Sequence, residues 1–293
     1  MPASVSMSRA CRVLLAVISS WAVLGCGRSP FDLEDELVQL DEAVELNDPV
    51  TGGCRKVDYL FVIDNSASMG DNQSKLVDSF DVFIDGVERS QDTLESIHVG
   101  VVSTDGYAGN EGSCTGFGGL ITTTTGHNSS QAQCGPYAEG HNYMTEADDL
   151  RETFTCAAQV GTTGSNAEHP IDALVAAVGD EMSGPGECNE GFIRDDALLV
   201  AVIVTDEDDA ASGRYRFEQL VEAKGGRADN IVMVGLINEP GTACSLSGHA
   251  REAPNLYGFI GSFLHSFVAP VCGDYGVAFE QALAVVEAAC WDA

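Results

Sequence analysis

Basic residues are scarce: 14 Lys and Arg stand against 45 Asp and Glu, for a formal net charge of −31. Nucleic-acid binding without sequence preference needs a basic surface to neutralise phosphates, so this balance argues against it. It argues equally against electrostatic docking on anionic lipid. Catalytic signatures are missing too. The chain has no H-E-x-x-H, no G-x-S-x-G and no G-x-x-x-x-G-K-[ST]. The six histidines (His98, His127, His141, His169, His249 and His265) are scattered, and no two stand at i, i+4. His169 or Glu207 could serve a metal-dependent hydrolase as base, but no spacing demands either, and no enzyme activity is expected. There is no C-x-x-C pair, which weakens zinc-ribbon and thioredoxin-like readings. Internal repeats are absent as well.

Long hydrophobic runs are also lacking. The apolar stretch at 13–24 follows Arg9 and Arg12 and ends at Gly25-Cys26. It is too short for a comfortable membrane span and has the layout of a secretory signal. The segment Val23-Leu24-Gly25-Cys26 resembles the lipobox of bacterial lipoproteins. That resemblance implies a signal over 1–25, with Cys26 lipidated as the mature N-terminus and the protein held in the outer membrane. A plain signal peptide is the alternative. Residues 26–53 are rich in Asp and Glu, poor in aromatics and flanked by Gly and Pro, as expected of a solvated tether.

Setting aside Cys11 and Cys26, an even set of eight cysteines remains: Cys54, Cys114, Cys134, Cys156, Cys188, Cys244, Cys272 and Cys290. In an exported chain such a set reads as up to four disulfides. Cys54 and Cys290 bracket the folded part, 54–293, and are expected to tie its ends together. The other pairings stay open.

From Arg55 onward, apolar β-branched runs alternate with helix-patterned segments. Residues 57–63, 97–104, 197–204 and 230–237 read as buried strands. Leu76, Val77, Phe80, Phe83, Ile84 and Val87 form a helical stripe; Ile171, Leu174, Val175 and Val178 form another, and Phe279, Leu283, Val286 and Cys290 a third. This order predicts an α/β fold: a doubly wound, mostly parallel sheet with helices on both faces. The stretch 107–143 breaks the pattern with Gly, Ser, Thr and Asn. It reads as an insertion pinned by disulfide, with 120–125 its one candidate strand.

The first strand ends in Asp64-Asn65-Ser66-Ala67-Ser68-Met69-Gly70, and the strand at 197–204 ends in Thr205-Asp206-Glu207-Asp208-Asp209. In open parallel sheets, ligands bind beyond the carboxyl ends of the strands. Asp64, Ser66 and Ser68, at i, i+2 and i+4, can aim three oxygens inward from one turn, and Asp206 stands at the same edge. Carboxylate and hydroxyl oxygens suit a hard divalent cation. This D-x-S-x-S after a buried strand, joined downstream by Val-Ile-Val-Thr-Asp206, resembles the metal-ion-dependent adhesion site of von Willebrand factor type A domains. The resemblance spans roughly 55–291 and implies a Rossmann-like fold. It makes Asp64, Ser66, Ser68 and Asp206 cation ligands, with Asp206 acting partly through water.

The middle loop departs from that family, which usually supplies a threonine. Counting back from Asp172-Ala173-Leu174 without a gap puts Glu168 in the threonine position, and allowing a gap restores Thr162 or Thr163. Mg²⁺ is the expected ion, while a carboxylate at 168 would favour Ca²⁺ or Mn²⁺. Glu207, Asp208 and Asp209 are either a solvated loop or a second cation site. The family reading implies metal-mediated binding of a protein or carbohydrate by a monomer. The net charge points to a neutral or basic partner. A scaffold whose metal only stabilises the fold is the alternative.

Overall fold

The computed structural model describes residues 54–89, 94–209, 213–242, 244 and 251–292. The expected signal, the expected lipid acceptor Cys26 and the expected acidic tether lie outside the described residues. Among the described residues, six strands form one sheet: β1 (Lys56–Ile63), β2 (Ser96–Ser103), β3 (Met144–Thr145), β4 (Leu198–Val204), β5 (Ile231–Ile237) and β6 (His265–Pro270). Their order is β3-β2-β1-β4-β5-β6. The β1–β2, β1–β4, β4–β5 and β5–β6 pairs are parallel, and the two-residue β3 runs antiparallel at one edge. Among the described residues, seven α-helices accompany the sheet: α1 (Gly70–Arg89), α2 (Leu150–Ala158), α3 (Pro170–Val178), α4 (Asp180–Ser183), α5 (Gly213–Ala223), α6 (Pro254–Ile260) and α7 (Tyr275–Asp292). The α/β, mostly parallel architecture is the one the alternating pattern predicts. Among the described residues no helix is long and apolar enough to cross a membrane.

Strand alternation divides the interior in two. Val57, Tyr59, Phe61 and Ile63 of β1, with Val200, Val202 and Val204 of β4, pack under α1, α2 and α7. Leu60, Val62, Leu199, Ala201 and Ile203 point the other way, under α3 to α6. Successive side chains of a strand face opposite sides, so a sheet covered on both faces needs apolar residues at every position. Aromatic rings fill the first layer: Phe80 stacks on Phe154, and Phe61 meets Phe154 edge-on at 4.7 Å.

One residue of β1 departs from this pattern. Asp58 is fully buried at the amino end of the strand, where the Arg194 guanidinium approaches its Oδ1 to 2.6 Å and the Arg194 backbone N–H donates to its Oδ2. Burial pushes the Asp58 carboxyl up to about 6 despite the nearby guanidinium. His98 lies 3.6 Å away, and burial lowers it to about 4, so its ring is neutral at pH 7.

The segment 120–125, expected as a strand, is not one. Ile121 N–H reaches Val101 O of β2, and Thr123 makes a single bridge to Gln133. Buried side-chain amides take the place of a ladder. Asn110 Oδ1 accepts from Thr122 and Thr123 N–H, and its Nδ2 donates to Cys114 O and Leu120 O. Asn189 accepts from Leu120 N–H and donates to Gly118 O and Ala177 O. Backbone groups buried in an irregular segment must be satisfied somehow, and two asparagines do it here.

Four disulfides form: Cys54–Cys290, Cys114–Cys188, Cys134–Cys156 and Cys244–Cys272. The first closes the domain as expected, joining β1 to the end of α7 across 236 positions. The second and third pin the insertion to the chain on its C-terminal side. Replacing Cys54 and Cys290 by Ser is expected to cost about 2–5 kcal/mol, because the unfolded chain loses its longest covalent loop. Chemical denaturation of the double variant checks this; an unchanged midpoint would contradict it.

Candidate metal centre

Sheet order reverses at β1, whose two neighbours are β2 and β4. Beyond the carboxyl ends of these strands the ladder continues by single bonds, Asp64 N–H to Val204 O and Thr104 N–H to Ile63 O. The three strand-end loops are thereby drawn together at the switch point, where open sheets place ligands.

Asp64 is fully buried. Its Oδ1 accepts the Ser66 N–H at 2.7 Å and its Oδ2 the Thr205 hydroxyl at 2.7 Å. After Ser66 the chain makes one 3₁₀ turn, Ala67–Met69, and enters α1. That turn sets the Ser66 and Ser68 hydroxyls 3.2 Å apart, and Ser68 Oγ donates to Asp206 Oδ1 at 2.9 Å. Glu168 is 2% exposed. Its Oε2 accepts the Thr104 hydroxyl from the end of β2, and its Oε1 is buried with no hydrogen-bond donor. The structure therefore brings Asp64, Ser66, Ser68, Asp206 and Glu168 together.

Thr162 and Thr163 go elsewhere. Thr162 N–H and Oγ1 both bond to His127 O, and its hydroxyl accepts from Asn128 Nδ2. Thr163 is exposed and rests against Gly126. Thr162 fastens the insertion to the middle loop, Thr163 lies beside Gly126 of the insertion, and Glu168 is the residue beside Asp64. Asp208 and Asp209, raised above as parts of a second cation site, are turned to separate helix starts. Asp208 accepts from Asn255 and Leu256 N–H at α6, and Asp209 Oδ2 from Ile171 N–H at α3. Carboxylates at those positions satisfy otherwise unpaired N–H groups and oppose the positive end of the helix dipole. Glu207 is half-buried, with its N–H on Thr205 Oγ1.

Several residues that organise the site are invisible as motif. Gln73, buried in the first turn of α1, donates Nε2 to Asp64 O and Gly161 O while its Oε1 accepts Gly161 N–H. It staples the first loop to the middle loop. Gly164 N–H bonds to Asn65 O, and a Cβ on Gly164 would stand 2.0 Å from Asn65 Oδ1. Only glycine permits that approach. Asp105 Oδ2 accepts Ser165 N–H at 2.6 Å and so holds the same loop from the β2 side. A D-x-S-x-S pattern reads the ligands; it does not read the side chains that fix the second loop against the first. Gln73→Ala is expected to weaken cation binding about tenfold and to cost about 1–3 kcal/mol, through the three hydrogen bonds lost. Calorimetric titration beside a melt would test it, and unchanged affinity would show that the middle loop holds its place without Gln73.

The electrostatics point the same way. Burial raises the Asp64 carboxyl, and the charge of Asp206 adds to that, against the hydrogen bonds from Thr205 and Ser66. Burial and then the neighbouring Asp64 push Glu168 up to about 9, with Asp105 adding to the effect and the Thr104 bond opposing it. Three buried carboxylates in one place are costly unless a proton or a cation neutralises them. Among the described residues no three His, Cys, Asp or Glu side chains alone make a metal cage. Here two serine hydroxyls would complete the donor set. Carboxylate and hydroxyl oxygens with one buried acceptor lacking a donor fit a hard divalent cation.

No family model matches the chain, and no curated protein matches it. Two solved structures of proximal thread matrix protein 1 from the mussel byssus are similar to it. One has a TM-score of 0.44 at 12% identity, over 80% of this chain and 48% of that one. The other has a TM-score of 0.37 at 15% identity, over 81% and 47%. The chain thus spans about half the length of the protein it matches.

Proposed function

We propose that residues 54–293 form a von Willebrand factor type A-like domain that binds a divalent cation and, through it, a partner molecule, without catalysing a reaction. Asp64, Ser66, Ser68, Asp206 and Glu168 would hold the ion. The ion would supply Lewis acidity and a coordination position facing the loops around it. The observation that carries the reading is the run of oxygens at the switch point, from Ser66 Oγ to Ser68 Oγ to Asp206 Oδ1, beside the buried Asp64 and Glu168. Partner contacts would come from the insertion, whose His127 and Asn128 border the middle loop, and from Glu207. The lipobox-like segment ending at Cys26 supports reading the chain as exported and lipid-anchored in the cell envelope.

Titrating Mg²⁺, Mn²⁺ and Ca²⁺ into the full chain by calorimetry tests this, against an Asp64→Ala, Ser66→Ala variant. Binding near one equivalent, lost in the variant, is expected. A folded chain that binds none of the three ions would remove the reading.

Burial of Asp64, Asp206 and Glu168 to 2% exposure or less also supports a second reading, a scaffold whose cation only stabilises the fold. Chelation separates the two. If the melting temperature falls on chelation while partner capture survives, the scaffold reading holds.

A further inference from the structure

Glu168 is fixed by more than its place in the chain. Its Oε2 takes the hydroxyl of Thr104, whose N–H bonds to Ile63 O next to Asp64; its Oε1 is buried without a donor, and its side chain has almost no exposed surface. Behind it, Asp209 takes the N–H of Ile171 at the start of α3, and Pro170 fixes the entry to that helix. In the middle loop, Thr162 bonds to His127 O and Thr163 lies against Gly126, so neither takes this place. Glu168 therefore cannot swing away to admit another acid without breaking a buried hydrogen bond.

We propose that Glu168 is a resident third carboxylate of the cation site, leaving the loaded site net negative and restricting it to partners that present an uncharged oxygen. The inference rests on the cation reading above. Once the cation has displaced the proton that Glu168 otherwise holds, Asp64, Asp206 and Glu168 would together carry three negative charges, of which a divalent ion cancels two. A fourth carboxylate, brought by a partner, would enter against one uncompensated charge in a poorly solvated place. A backbone carbonyl, an amide or a hydroxyl adds no charge and meets no such opposition. Three carboxylates with two hydroxyls also suit Ca²⁺ or Mn²⁺ better than Mg²⁺, which usually takes one or two carboxylates and keeps several waters.

Water-proton relaxation of Mn²⁺ bound to the full chain tests this, with sodium acetate and acetamide as probes. Acetate replaces exchangeable water on the ion where a carboxylate can enter, and acetamide reports access by a neutral oxygen. The native chain is expected to respond to acetamide and to resist acetate. In Glu168→Thr, acetate should act at concentrations at least about tenfold lower. Glu168→Gln, close in shape to the native side chain, should behave like the threonine variant and covers a failure of that variant to fold. If acetate acts alike on native and variant chains, or on none of them, Glu168 does not set the charge preference. The inference then falls while the cation site stands. If Mn²⁺ does not bind the native chain, the cation reading falls and takes this inference with it.

Discussion

Stripped of divalent cations, the domain is expected to lose stability steadily as pH rises from about 5 to about 9. Glu168 carries most of that slope. In the unfolded chain it ionises near 4.5, whereas in the folded domain burial and the Asp64 charge hold its proton up to about 9. Between those values the folded state binds more protons than the unfolded state, so stability falls with rising pH and levels off above the folded value. At pH 7 the loss relative to pH 4.5 is on the order of 3 kcal/mol, or roughly 6–12 °C in melting temperature for a domain this size. Saturating cation should remove most of the slope, because ligation replaces the proton as the neutralising partner. General repulsion in a chain of net charge −31 would tilt the profile in the same direction, so the control is essential. Glu168→Gln keeps an acceptor for Thr104 and removes the titrating group. Its metal-free profile should be markedly flatter, and its melting point at pH 8 higher than that of the native chain. Native and variant profiles that run parallel would show that Glu168 is not the group responsible.

This prediction depends on a residue that sequence reasoning reached only by arithmetic. Counting back from Asp172-Ala173-Leu174 reaches Glu168 only if no gap is allowed in the middle loop. Allowing a gap against the family pattern leaves Thr162 or Thr163 as the alternative, and in the structure Thr162 bonds to His127 O and Thr163 lies beside Gly126. The parts of the fold that were legible are those written as local periodicity. The continuous apolar runs of β1 and β4 and the stripe of α1 each state their burial without reference to anything distant. The parts that were not legible depend on contacts far along the chain. The two residues of β3 form a strand only because β2 lies beside them. His265–Pro270 mixes polar and apolar residues because β6 is a half-buried edge. Gln73 shows neither a hydrophobic period nor a motif, although it ties the first loop to Gly161, 88 positions beyond it. Asp208 and Asp209 look like an acidic run until the helix starts they cap are known. A strand at 120–125 was a fair reading of its threonines, overridden by the asparagines at 110 and 189.

Removing the guanidinium at position 194 is expected to be among the most damaging single changes outside the metal centre. Asp58 has no exposed surface, and Arg194 donates to it from the backbone N–H and from Nε at 2.7–2.8 Å. The same guanidinium reaches Ser96 Oγ and Val57 O, tying the amino ends of β1 and β2 to the chain just before β4. Lys224 adds a further clasp by donating to Arg194 O and Ala197 O. In Arg194→Met a carboxylate stays buried among apolar strands with one backbone donor left to it. Breaking a buried pair from one side costs about 3–5 kcal/mol, since the remaining charge is neither solvated nor compensated. The melting temperature should fall by roughly 10 °C or more at pH 7.5. The loss should shrink toward pH 5. Without Arg194 the Asp58 carboxyl rises above the value near 6 that it already has in the native domain, and its protonation removes the buried charge. His98, lowered by burial to about 4, adds its own pH dependence to native and variant chains alike, and that contribution largely cancels in the difference between them. Pairing the change with Asp58→Leu should restore most of the stability at every pH, as a matched apolar pair often does in place of a buried ion pair. Denaturant titration of the two single variants and the double variant completes a cycle. A single Arg194→Met variant as stable as the native chain at pH 7.5 would mean that the backbone N–H and nearby Lys224 suffice to hold Asp58, and that the guanidinium serves the strand ends alone.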